Sequence, residues 1–90
     1  MDLIVVYVLP GKQEPTRIGF SVGGKLGGAV ARNRTRRVLQ EAARRLTPGV
    51  KPGYCVVVVA RTKAAQASFW EISAAMHAAF AKSGILNAGN

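Results

Sequence analysis

Residues 54–60 read Tyr-Cys-Val-Val-Val-Val-Ala, and no other segment constrains the fold as strongly. β-Branched side chains are stiff at χ1 and suit a pleated, packed surface, so four valines in a row predict a strand. The absence of polar alternation puts that strand at the centre of a sheet. A central strand needs neighbours. Leu3-Ile4-Val5-Val6-Tyr7-Val8-Leu9 is a second near-continuous apolar run, predicted as a strand buried on both faces and ended by Pro10-Gly11. Arg17 to Gly23 alternates apolar and polar residues and predicts a strand with one wet face. The short polar link, Gly11 to Thr16, predicts that these first two strands pair as an antiparallel hairpin.

Two helical patterns supply a covering layer. From about Ala29 to Leu46, Ala31, Thr35, Val38, Leu39, Ala42 and Leu46 share one arc, and Thr47-Pro48-Gly49 stops the helix. Thr62 to Ala67 reads as a linker. Ser68 with Glu71 three residues on forms a capping box that opens the second helix. Phe69, Ile72, Met76, Ala79 and Phe80 line its core face, Gly84 closes it, and Ile85-Leu86 fold back on the core. The order strand, strand, helix, strand, helix predicts an α+β two-layer sandwich with helices on one sheet face. Ninety residues make this a single domain, 1–90. No apolar run reaches the ~18 residues that a membrane span requires. One cysteine and one histidine exclude an intramolecular disulfide and a His-pair metal site. Met1-Asp2-Leu3 lacks the basic region of a signal peptide, which predicts a cytoplasmic protein.

Charge is the main functional signal. Thirteen Lys and Arg against four Asp and Glu leave +9, which predicts a polyanionic partner. The charge is unevenly placed: Lys25 to Arg45 holds seven basic residues and one acid, Glu41. A solvated helix face ordinarily mixes signs. Glu41 can serve Arg37 or Arg45 but not both fully. Arginine dominates, and its planar fork suits bidentate phosphate contacts. Gly23, Gly24, Gly27 and Gly28 precede the helix and let a ligand approach its N-terminal N–H groups, with Lys25 in the same turn.

Other motifs do not survive inspection. Gly19-Phe20-Ser21-Val22-Gly23 spells a G-x-S-x-G elbow, but Ser21 falls inside an alternating strand of a chain too short for that fold. Gly19 to Lys25 fits most of a phosphate loop, yet Leu26 stands where Ser or Thr would bind magnesium. Cys55 reads as a core or edge residue, and His77 as a solvated or interface histidine. Trp70 reads as a packing residue. Glu41 and Glu71 lie on separate helices and form no catalytic pair.

Phe20-Ser21-Val22-Gly23-Gly24-Lys25-Leu26-Gly27-Gly28-Ala29-Val30-Ala31-Arg32-Asn33-Arg34-Thr35-Arg36-Arg37 closely resembles the protein subunit of bacterial ribonuclease P. Pro52-Gly53-Tyr54 to Ala60-Arg61 resembles the family's later strand, and Ser68-Phe69 through Leu86 its last helix. The resemblance implies a small mixed sheet with a left-handed strand–helix–strand crossover, the ribosomal protein domain 2-like fold. It implies an endonuclease in which an RNA subunit, with Mg2+, carries the chemistry that removes the 5′ leader of precursor tRNA. No protein residue would be catalytic or bind a metal. Lys25, Arg32, Asn33, Arg34, Arg36, Arg37 and Arg44 would contact RNA, and Asn33 could instead cap the turn. The leader would lie in a cleft between helix and sheet, with Tyr7 and Phe20 as lining residues.

The sequence also departs from the family. Members ordinarily begin with a basic segment, a short helix and a further strand ahead of the position of Leu3, so the resemblance implies an N-terminally truncated domain. Gly24, Gly28, Val38 and Ala43 stand where the family carries Lys, polar, basic and aromatic residues. Ala74, Ala75, Ala78, Ala79 and Ala81 leave the last helix bare, and with Trp70 predict an exposed apolar patch and self-association. The competing reading is a general RNA-binding or ribosome-associated module with no role in cleavage. A protein-only nuclease is disfavoured, because no His/Asp/Glu cluster is legible.

Overall fold

The computed structural model describes residues 3–11 and 15–87. The elements are β1 (Ile4–Pro10), β2 (Arg17–Ser21), α1 (Ala29–Leu46), β3 (Tyr54–Ala60) and α2 (Phe69–Lys82). Short 3-10 turns occupy Gly24–Leu26, Thr47–Gly49 and Thr62–Gln66, the last within the predicted linker. The polar link predicted over residues 11–16 lies partly outside the described residues.

The sheet order is β1-β3-β2, so the predicted hairpin does not form. β3 inserts between the first two strands. It runs antiparallel to β1, from Ile4↔Ala60 to Pro10↔Tyr54. It runs parallel to β2, from Arg17↔Cys55 to Ser21↔Val59. The most β-branched strand takes the centre, where both of its edges are paired and its valines gain cross-strand neighbours on each side. The chain between β1 and β2 is pinned across the entry to β3. Gly11 N–H donates to the Gly53 carbonyl at 2.8 Å, and the Thr16 hydroxyl donates to the Lys51 carbonyl. The same hydroxyl accepts from the Tyr54 N–H at 3.1 Å. Parallel neighbours require a crossover, and α1 supplies it between β2 and β3.

Both helices cover one face of the sheet. α1 packs by β2, α2 packs by β1, and the two helices pack on each other. Val56, Val58 and Ala60 of β3 face them and are buried together with Ile4. Successive strand residues point to opposite faces, so Val5, Tyr7 and Leu9 share the other face with Cys55, Val57 and Val59. That face has no covering layer among the described residues. β1 is therefore buried on one face, not two: Tyr7 is 57% and Leu9 59% exposed. Cys55 is likewise exposed, on the open face of the central strand and neither in the core nor at a sheet edge.

The helix stripes follow the sequence pattern in part: Ala31, Val38 and Leu46 of α1 and Phe69 and Ala79 of α2 are only half-buried. α1 buries Thr35, Leu39, Ala42 and also Ala43; α2 buries Ile72, Met76 and Phe80. Thr35 is satisfied by donating to the Ala31 carbonyl at 3.0 Å. Leu39, Ile72, Met76 and Phe80 are almost fully buried, and each contributes ~1.5–3 kcal/mol through removal from water. The capping box forms in full, with Glu71 N–H on Ser68 Oγ at 3.1 Å and Ser68 N–H on Glu71 Oε1 at 2.8 Å. α2 ends at Gly84 (φ 78°), where Gly84 N–H donates to Ala81 and Ile85 N–H to Phe80, a Schellman closure. Ile85 then enters the core, and Val50 and Leu86 form an antiparallel bridge.

Candidate nucleic-acid interface

The arginines of α1 do not form a single row. At about 100° per residue, Arg32 and Arg36 fall on the flank away from α2 and Arg34 and Arg45 on the flank toward it, with Asn33, Arg37 and Arg44 between. The surroundings agree. Arg32 and Arg36 are half-buried, whereas Asn33, Arg34, Arg37 and Arg44 are exposed. Arg32 Nε is enclosed without a hydrogen-bond partner among the described residues. Arg34 Nη1 donates to the Ala65 carbonyl at 3.3 Å, tying α1 to the turn before α2. The Arg45 guanidinium lies 4.9 Å from the Phe69 ring centroid.

Glu41 serves Arg44 and Arg45, not Arg37. Arg44 Nε donates to Oε1 at 3.0 Å and Arg44 Nη2 to Oε2 at 2.7 Å; Arg45 Nε donates to Oε2 at 3.0 Å. These bonds, Arg44 first and Arg45 second, hold the Glu41 carboxyl at about 2, below its ordinary 4.5, and raise the Arg44 guanidinium. Arg44 thus differs from the other predicted contacts, because its fork already grips a carboxylate. Arg36 and Arg37 have no such partner among the described residues.

The glycine-rich entry is an open shelf. Added Cβ atoms at Gly23, Gly24 and Gly28 would meet nothing within 4 Å. Gly27 sits at φ 126°, where its missing side chain also spares a 3.2 Å approach to Ala31 Cβ. Gly28 caps α1 without a side-chain hydrogen bond, which leaves the first-turn N–H groups directed at the shelf. Leu26 is buried and anchors the turn, so Lys25 is held outward. A cavity of ≈ 390 Å³ opens here, between Ser21, Gly24 and Lys25 on one side and Val59, Arg61 and Thr62 on the other. Arg61 was not among the residues singled out from the sequence. Parallel pairing of β2 and β3 brings the residues after Ser21 and Ala60 to the same end of the sheet, and the signal becomes legible only once that pairing is known.

Tyr7 and Phe20 do not share a cleft. Tyr7 is registered with Val57 on the open face. Phe20 is registered with buried Val58 and packs half-buried against the core. The period of two separates them by the thickness of the sheet. Tyr7 therefore stands on the uncovered face, where Gly19 lies beside Val57 with open space above it. Among the described residues no three His, Cys, Asp or Glu side chains gather, so these residues do not fit a protein-held metal ion.

Fold and surface define a small basic α+β protein of the nucleic-acid-binding class. A family profile described as Ribonuclease P matches residues 2–84. The ribonuclease P protein component of Symbiobacterium thermophilum is 47% identical over 85 residues, spanning 91% of this chain and 72% of that protein. That of Dehalococcoides mccartyi is 40% identical over 89 residues, spanning 99% and 72%. The Staphylococcus aureus RNase P protein superposes with a TM-score of 0.79 at 27% identity, covering 93% of this chain and 77% of that one. The Thermotoga maritima RNase P protein, solved with 1-(4-fluorophenyl)-2-thiourea, gives 0.78 at 26% identity, covering 86% and 76%. The chain belongs to the ribonuclease P protein family.

Proposed function

We propose that the chain is the RNA-binding subunit of ribonuclease P and assists a catalytic RNA in removing the 5′ leader of precursor tRNA. The observation that carries this reading is an arginine-rich helix led by an open glycine shelf, in a member of that family. Arg32, Arg36 and Arg37, with Lys25 and Arg61 at the shelf, compensate phosphate charge on the RNA. Arg34 and Asn33 border them, and Arg44 contributes less because Glu41 holds it. The leader's bases stack on Tyr7 across the open sheet face; such stacking tolerates any sequence. Cleavage chemistry and Mg2+ belong to the RNA subunit. No described helix is long and apolar enough to cross a membrane, and the proposed site of action is the cytoplasm. A second proposal concerns the RNA-free chain, which self-associates through the outer face of α2.

Fluorescence anisotropy tests the first reading. The protein should bind bacterial ribonuclease P RNA well ahead of an unrelated structured RNA of equal length at the same salt. Equal affinities, with no stimulation of leader cleavage, would favour the general RNA-binding module.

A further inference from the structure

We propose that two copies of the RNA-free chain pair through the outer faces of α2, running antiparallel, with Glu71 of each beside the partner's Lys82. This rests on the self-association reading and gives it one face and one register.

The inner face of α2 is spent on the core through Ile72, Met76 and Phe80. Its outer face carries Trp70, Ala74, Ala78 and Ala81, all exposed, with Trp70 at 72%. Trp70 is not a core residue; its ring meets the Phe69 ring edge to face, 5.0 Å between centroids. Between Glu71 and Lys82 α2 has no Asp, Glu, Lys or Arg. In a chain of net charge +9 this face lets a second copy approach without setting cation against cation. Apart from Lys82 on its flank it offers RNA no Lys or Arg for phosphate, so a nucleic acid is the poorer occupant.

Charge complementarity fixes the direction. Glu71 and Lys82 are eleven positions apart, about three turns, so they lie on one flank of the helix about 16 Å from each other. In an antiparallel pair each flank meets the same flank of its partner. The two-fold then sets Glu71 beside the partner's Lys82 at both ends. A parallel pair, related by a two-fold along the helix axes, would send the two Glu71–Lys82 flanks to opposite sides and pair neither charge. The capping box engages Glu71 through Oε1, which leaves Oε2 for the pair. Ala74 and Ala78 let the helix axes approach to about 8 Å, and Trp70 covers the partner's Ala81. Two helices of this length bury less than the ~1,200 Å² of stable complexes, so the dimer is weak and transient.

Sedimentation equilibrium of the RNA-free protein, from dilute solution up to the highest soluble concentration, tests it. The unaltered chain should show a monomer–dimer equilibrium. Ala78→Glu, at an exposed position, should raise Kd at least tenfold with helicity by circular dichroism unchanged. Lys82→Glu should do the same, and adding Glu71→Gln, which keeps the capping box, should recover part of the loss. A monomer at every concentration would overturn both the register and self-association. A dimer indifferent to Ala78→Glu and to Lys82→Glu would overturn this face and register alone.

Discussion

Glu41→Gln separates the number of arginines on α1 from the charge they offer. In the folded chain the Glu41 carboxylate takes three N–H bonds of 2.7–3.0 Å from Arg44 and Arg45. Held at about 2, it is ionised at every pH used for RNA binding. Arg44, Arg45 and Glu41 together present one net positive charge, and the glutamine variant presents two. One further phosphate neutralised steepens the slope of log affinity against log salt by about 0.9 on helical RNA, taking the duplex value. Between 50 and 200 mM salt, that single contact costs the variant about 3.5-fold more affinity than the parent loses. Anisotropy titrations with labelled ribonuclease P RNA measure the slope directly. Adding Arg44→Ala to the variant restores one net charge and should return the slope to the parent's. A Glu41→Gln slope equal to the parent's would refute the idea that Glu41 competes with RNA for these two arginines.

The same carboxyl sets a pH dependence. Its depressed value means that the stability it contributes is present above about 4.5 and lost as pH falls toward about 2. The melting difference between parent and Glu41→Gln should be small and constant from pH 8 to about 5, because exposed pairs contribute little, and should vanish near pH 2. Leu39→Ala empties a fully buried site where α1 meets the core. It should cost about 2–5 kcal/mol by urea denaturation, and a loss below about 1 kcal/mol would contradict the packing described. Tyr7→Ala should weaken binding of leader-bearing precursor tRNA by the ~1–3 kcal/mol of one stacked base. It should leave binding of mature tRNA unchanged, and equal losses on both would remove Tyr7 from the leader path.

Much of this was legible in the sequence because it is local. The capping box at Ser68 and Glu71, the closure at Gly84 and the stripe of Ile72, Met76 and Phe80 are set by spacing within one helix. The α+β order and the basic character of α1 follow from residues read in sequence. Pairing between distant segments was not legible. β3 could be recognised as central, but its insertion between β1 and β2 depends on which edges win, and a short link suggested the hairpin instead. The placement of Arg61 follows from that pairing. With β2 parallel to β3, Arg61 joins Lys25. The register also sends Tyr7 and Phe20 to opposite faces. Glu41 could have chosen between arginines at i+3, i+4 and i−4, and only side-chain geometry shows that it takes the two that follow it.

The central claim is that this chain supplies phosphate-binding charge to an RNA that does the cutting. Reconstitution of bacterial ribonuclease P RNA with the protein, scored as precursor-tRNA cleavage across a Mg2+ titration, tests it most directly. The account predicts that the protein lowers the Mg2+ needed for half-maximal cleavage, that Arg36→Ala with Arg37→Ala moves that midpoint back up, and that protein without RNA cleaves nothing. An unmoved Mg2+ midpoint, or cleavage by the protein alone, would contradict it.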